Sequence, residues 1–251
     1  MASPFTIIAD AWAFYRKQPV LNSVAFWLFF APSAILDAVG GFMQTVYAQD
    51  GVPAGQISPV EIAVSIPVFI VFVYLTLWGQ ACVLTIGRRM IASPAGRNRT
   101  SFAAVREEAK KYIFPLFATE VIRTCMTLLW SILLIVPGII YSIRTAFFDI
   151  LIVGEDVPYG REALRASAAM TRERIWEIFW RMLVIGVCTV LPATMLGGIT
   201  ASVLALADER LATLGSVLGD GFTAFGTLFL LLCMIALFAE LKEVSFAGKR
   251  R

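Results

Sequence analysis

Histidine is absent from all 251 residues, and with it go the commonest general base and the commonest metal ligand. A histidine-based catalytic triad and a histidine-ligated zinc or haem site are therefore excluded. Charge is scarce too: 16% of residues are Asp, Glu, Lys or Arg, against about 25% in a soluble domain. The four cysteines, Cys82, Cys125, Cys188 and Cys233, have no CxxC or metal-knuckle spacing. Each falls in an apolar run, where a thiol behaves as a small hydrophobe. Neither a phosphate-binding loop of the GxxxxGK type, nor GxGxxG, GxSxG or SxxK occurs. The expectation is a chain that is not an enzyme and holds no metal or other cofactor.

What the chain has is apolar sequence: 59% of its residues are hydrophobic and its mean hydropathy is +0.78. Six apolar runs stand at about 20–43, 62–87, 113–136, 139–153, 182–206 and 221–239, each near the roughly 20 residues that cross a bilayer as a helix. What remains is too short for a second soluble domain of ordinary size. The fold class expected is all-α: a polytopic integral membrane protein with six transmembrane helices, forming one membrane domain over 1–251. Val136-Pro137-Gly138 separates the third and fourth runs and predicts a tight hairpin. The first positive charges, Arg16 and Lys17, precede a run too long for a signal peptide, so the first span is read as uncleaved.

The cations are distributed unevenly. Eighteen of the 21 Lys and Arg fall in 1–19, 88–112, 154–181 and 240–251, whereas the alternate loops carry only Arg210. By the positive-inside rule both termini and the two long loops face the cytoplasm. Amphipathic helices are expected on that side. Phe5, Ile8, Trp12 and Tyr15 share one face of a helix within 1–19. The spacing recurs at Phe102, Val105, Ala109 and Tyr112 within about 101–112, and more weakly at Leu164, Ala168, Thr171 and Ile175 within about 160–178. A threefold repeat of this helix with two spans is one reading; the ordinary alternation of an even-spanning protein is the other. The cations Arg16, Lys17, Arg106, Lys110, Lys111, Arg172 and Arg174 are placed to contact anionic lipid headgroups. No nucleic-acid partner is expected, because the basic residues are spread along these helices and no RNA- or DNA-binding module is present.

Five charges fall inside the apolar runs: Asp37, Glu120, Arg123, Arg144 and Asp149. Each costs a few kcal/mol at mid-bilayer and so faces protein or water. Counted from Pro137 at about 1.5 Å per residue, Arg123 lies about 21 Å back and Asp149 about 18 Å on. This predicts a pair across the hairpin, with Glu120 one turn away. Similar depths predict a second pair, Arg144 with Asp37. A structural clamp and a polar path for transport are both open for this network. Gly215-x-x-x-Gly219 has helix-association spacing and is read as packing; a homo-oligomer stays open.

The residues Pro137-Gly138-Ile139, Arg144, Glu155, Gly160, Ala163-Leu164, Ser167, Thr171 and Trp176 together form a pattern. It resembles the membrane domain of some bacterial glycerophosphodiester phosphodiesterases and related stand-alone six-span proteins, although Glu173 stands where those carry a glycine. The resemblance implies a membrane domain without chemistry of its own, since in those relatives the phosphodiesterase is a separate barrel. It points to Arg144 and the Ala163-Leu164-x-x-Ser167 helix as packing positions. The function expected is a scaffold or accessory subunit of the bacterial inner membrane, with a protein partner still to be named and a role in envelope or lipid homeostasis. A small transporter or lipid-handling protein is the alternative.

Overall fold

The computed structural model describes residues 3–49, 59–92, 101–208 and 211–248, and every regular element among them is helical. Six segments are long and apolar enough to cross a membrane. The chain is an all-α, multi-pass membrane protein.

Helix α1 (Pro4–Lys17) opens on Ser3, whose hydroxyl accepts the Thr6 N–H, with Pro4 in the first turn where its missing N–H costs nothing. It buries Ile7 and Ala11 and leaves Phe5 and Trp12 outward. The first membrane segment is interrupted: α2 (Val20–Val24), a π-helical stretch (Ala25–Phe30) and α3 (Ala31–Gln49) follow one another. Pro32 explains the wide turn, since its ring would clash with the carbonyl one α-turn back. The Ala31 N–H instead reaches the Phe26 carbonyl, five residues away, and the Ser33 hydroxyl takes the Phe29 carbonyl at 3.0 Å.

Helix α4 (Pro59–Ala92) is followed by α5 (Phe102–Leu133). An interfacial helix over 101–112 separate from a span at 113–136 is not what forms: one helix covers both, capped by the Ser101 hydroxyl on the Ala104 N–H. No stop signal separates the two parts, and Pro115 is absorbed within the helix while its carbonyl accepts the Thr119 hydroxyl at 2.8 Å.

The hairpin after α5 exists, but Pro137-Gly138 does not make its turn. Leu134 alone is extended (φ −158°, ψ 132°), and α6 (Ile135–Arg144) starts at once with Pro137 in its first turn. There the absent N–H is one of the four without a helical partner. Gly138 serves close approach: a Cβ would stand 2.1 Å from the Ser131 Oγ on the facing helix.

The fourth run is not one helix either. It breaks over Thr145–Phe147 and resumes as α7 (Phe148–Gly154), so two short helices of 10 and 7 residues replace a continuous span. Helix α8 (Arg161–Thr171) ends before Arg172, and α9 (Ile175–Ala207) begins three residues later, so the amphipathic segment expected over 160–178 is split. Helix α10 (Ala212–Gly248) starts well before the run read at 221–239.

Between two lipid-solvated helices apolar burial supplies little drive, so close backbone approach decides the packing. Helices α9 and α10 pair through glycine: a Cβ on Gly197 would meet the Gly219 carbonyl at 2.9 Å, and one on Gly215 the Ala201 Cα at 2.9 Å. The Gly215-x-x-x-Gly219 spacing therefore packs two helices of the same chain. Outward-facing Leu183, Val187, Leu191, Ile199 and Val203 line the far side of α9, as expected where lipid is the solvent.

Val136, at the start of α6, lines the same cavity as Arg172 and Arg174 between α8 and α9. Helix α6 packs on α8 and α9 as well as on α5.

Candidate functional site: a polar node at the broken fourth helix

Helix α7 begins just after the break, and Asp149 in its first turn is buried (8% exposed). A carboxylate there meets the positive end of the helix dipole. One oxygen accepts the Ile150 N–H at 2.9 Å, the other accepts Gln80 Nε2 of α4 at 3.0 Å. Arg123 of α5 stands close enough to act on Asp149 electrostatically, as does Glu120. Its ion pair, however, is with Glu120 at 3.2 Å, and its guanidinium lies 5.4 Å above the Phe148 ring. The three charges predicted to cluster do so, but the cross-hairpin ion pair between Arg123 and Asp149 is replaced by the amide of Gln80. The depth estimate assumes a turn at Pro137 and an unbroken helix to Asp149; both assumptions fail. A count of charges passes over Gln80, although a lone amide in the run Leu77-Trp78-Gly79-Gln80-Ala81 is a legible signal.

Arg144 and Asp37 do not pair. Asp37 is exposed on α3, and its electrostatic neighbour is Asp220 of α10. Asp220, whose Oδ2 is buried without a hydrogen-bond partner, lies one residue before the last apolar run and so falls outside the five charges read from the sequence. Equal depth fixes height alone: α3 packs on α4 and α10, whereas α6 packs on α5, α8 and α9. Among the described residues no ion pair engages the half-buried Arg144 guanidinium, and its Nε is buried without a partner.

The Arg144 carbonyl, by contrast, is fully used. Ser167 Oγ donates to it at 2.8 Å and Thr171 Oγ1 at 3.2 Å, while Ser167 Oγ also accepts the Phe147 N–H at 3.2 Å. Two hydroxyls on α8 thus satisfy backbone groups that the helix break leaves open. Gly160, with φ at +85°, sends its N–H to Thr119 Oγ1 at 2.8 Å, and Glu155 pairs with Lys242 at 2.8 Å. Arg144, Ser167 and Thr171 thus meet at one joint, while Gly160 and Glu155 tie the segment before α8 to α5 and α10.

The cations expected at lipid headgroups occupy several settings. Arg16 and Lys17 are exposed at the end of α1. Arg106 is half-buried, 5.5 Å over Trp78 and 5.6 Å over Phe102. Lys110 pairs with Glu107 at 2.7 Å, and Lys111 stands 4.7 Å over the Tyr112 ring. Nearby, Asp156 accepts the Tyr112 hydroxyl at 2.9 Å and Arg88 Nη2 at 2.8 Å. The Tyr112 hydrogen bond and the Arg88 guanidinium hold its carboxyl below the usual carboxylate range. Arg172 and Arg174 line a cavity of about 750 Å³ together with the apolar face of α6. None of Asp37, Glu120, Arg123, Arg144 and Asp149 is among its lining residues.

Cys82 and Cys233 are buried, whereas Cys125 and Cys188 face outward from their apolar helices. Among the described residues, no three His, Cys, Asp or Glu side chains are grouped so as to hold a metal ion. No family model matches the chain, and neither a curated protein nor a solved structure matches it.

Proposed function

We propose that the chain is a non-catalytic protein of the bacterial cytoplasmic membrane, with both termini on the cytoplasmic side, that serves as a scaffold or accessory subunit in envelope or lipid homeostasis. The observation that carries this reading is how the intramembrane polar groups are used. Asp149, Gln80, Glu120 and Arg123 engage one another at the joint of α4, α5 and α7, and Ser167 and Thr171 complete the broken backbone. Such a joint holds helices in register. The cation bias of eighteen to one supports the orientation, and the resemblance of the 137–176 pattern to a membrane domain without chemistry supports the accessory role. Anionic headgroups at the exposed Arg16, Lys17, Lys110 and Lys111 belong to the same reading.

Native mass spectrometry of the protein extracted in its own lipids tests it. A stoichiometric protein partner is expected. Protein without any partner, active in a reconstituted flux assay, overturns it.

A second reading, a small transporter, is favoured by one observation: Asp220, on α10 where that helix packs against α3, has a carboxylate oxygen buried without a hydrogen-bond partner inside an apolar segment. An unpartnered acid so placed attracts a proton or a cation. Proton or cation flux into proteoliposomes, abolished by Asp220→Asn, would establish it; no flux above protein-free vesicles would dismiss it.

A further inference from the structure

One wall of the cavity beside the α5/α6 hairpin is apolar. Val136, Ile139, Ile140 and Ile143 recur at i, i+3, i+4 and i+7 on one face of α6. The opposite wall is the junction between α8 and α9, and it carries four charges, Arg172, Glu173, Arg174 and Glu177. Among the described residues, none of these four side chains has an ion pair or a hydrogen bond. Although Arg172, Glu173 and Arg174 are consecutive, no ion pair joins them. Helix α9 starts here with no side-chain cap on its first N–H groups, which leaves a donor-rich, positive helix end at the mouth of the cavity. Trp176, 72% exposed, is among the lining residues, as aromatic side chains are at headgroup level.

We infer that this cavity binds one zwitterionic aminophospholipid, its phosphate against Arg172, Arg174 and the N-terminus of α9, its ammonium against Glu173 and Glu177, and the start of an acyl chain along α6. The charge count selects the headgroup. Two arginines alone would favour any anionic lipid, but two glutamates in the same ring oppose a purely anionic head and leave both acids without a counter-ion. A head that carries phosphate and ammonium together satisfies all four groups at once. A quaternary amine has no N–H to donate to the carboxylates, so phosphatidylcholine is the weaker ligand. The volume, about 750 Å³, lies in the range of small-ligand sites.

The inference rests on the reading that this end of the protein lies at the headgroups, and the test separates the two. The full-length protein is delipidated in detergent and offered equimolar phosphatidylethanolamine, phosphatidylglycerol and phosphatidylcholine, with bound lipid read by native mass spectrometry. Phosphatidylethanolamine is expected to be retained in preference to both others. The double variant Glu173→Gln with Glu177→Gln should lose that preference while keeping phosphatidylglycerol. Arg172→Gln with Arg174→Gln should weaken retention of every phospholipid by roughly tenfold, the loss of charge-assisted contacts. Ile139→Trp, which fills the apolar wall and touches no charge, should weaken retention of all three, and an unchanged unfolding midpoint would show that it folds. Retention of phosphatidylglycerol above phosphatidylethanolamine, or a preference untouched by the glutamate variant, overturns the inference alone. No phospholipid retained by any form overturns the headgroup placement as well.

Discussion

Ser167 on α8 and Arg144 at the end of α6 are joined by a 2.8 Å hydrogen bond from the serine hydroxyl to the arginine carbonyl, across 23 residues of sequence. The serine oxygen in turn accepts the Phe147 N–H. One small side chain therefore carries the break in the fourth membrane segment. Ser167→Ala leaves a buried N–H unpaired and removes one of the two hydroxyl donors to the Arg144 carbonyl, at a cost of about 1–3 kcal/mol. The expected result is a clear drop in the thermal unfolding midpoint in detergent. Ala169→Ser, at an exposed position of the same helix, should leave the midpoint nearly unchanged.

Gly160 precedes α8 with φ at +85° and ψ at −136°, a region that residues with a Cβ rarely adopt. Space is not the constraint, since the nearest atom to an added Cβ is Ile122 Cδ1 at 3.9 Å. Gly160→Ala should therefore destabilise through backbone strain, by about 1–3 kcal/mol. Gly186→Ala, inside α9 with nothing within 4 Å of an added Cβ, should be neutral or stabilising by up to about 1 kcal/mol. Unfolding midpoints of the two variants, measured side by side, check the contrast.

Between α9 and α10 the constraint is contact. A Cβ on Gly219 would meet the Gly197 carbonyl at 3.0 Å, whereas one on Gly198 would meet nothing within 4 Å. Gly219→Val should push the helices apart and lower stability, and Gly198→Ala should not. If Gly219→Val instead changed only the oligomeric state on light scattering, with the unfolding midpoint kept, the glycines would belong to an interface between chains.

Asp156 lies outside the membrane segments, and its carboxyl is held below the usual carboxylate range by Tyr112 and Arg88. A carboxylate with a folded pKa below its unfolded value stabilises the fold above the unfolded value, near 3.9, and the contribution is lost as pH falls through the folded pKa. The wild type should thus lose stability on acidification below about pH 4. Asp156→Asn should show a shallower acid slope, and the exposure of both partners, 38% and 58%, keeps the difference small. Unfolding midpoints between about pH 3 and 7, taken in the same detergent, measure it.

Gln80 and the buried Asp149 form a part-buried cross-helix hydrogen bond, so their effects should be coupled. Gln80→Leu and Asp149→Leu each strand the other's polar group, and the double variant should be less damaging than the sum, with a coupling of about 0.5–3 kcal/mol. A double-mutant cycle on unfolding midpoints reads this out; strict additivity would remove the pair from the clamp.

Hydropathy and length were sufficient for the class of the protein, because a bilayer demands long apolar helices whatever their arrangement. The helical recurrence of Phe5, Ile8, Trp12 and Tyr15 likewise placed a helix before the first span, where α1 stands. Local chemistry was legible where it acts over a few residues, as in the Ser3 and Ser101 caps. Pro137-Gly138 misled because the same dipeptide serves a turn or the first turn of a helix, and only the facing Ser131 decides which.

The charges teach the same division. Sequence alone determined that Asp37, Glu120, Arg123, Arg144 and Asp149 lie in apolar helical segments, since hydropathy is a property of neighbouring residues and needs no partner. Which of them meet depends on rotation about the bundle and on where helices break. Those were decided by tertiary packing: by Gln80 arriving from α4 at Asp149, by α3 packing on α4 and α10 and so away from α6, and by α8 supplying the hydroxyls that let the fourth segment break at Arg144. Hydrogen bonds over such separations leave no periodic trace in a sequence, because their partners are brought together only when the helices pack.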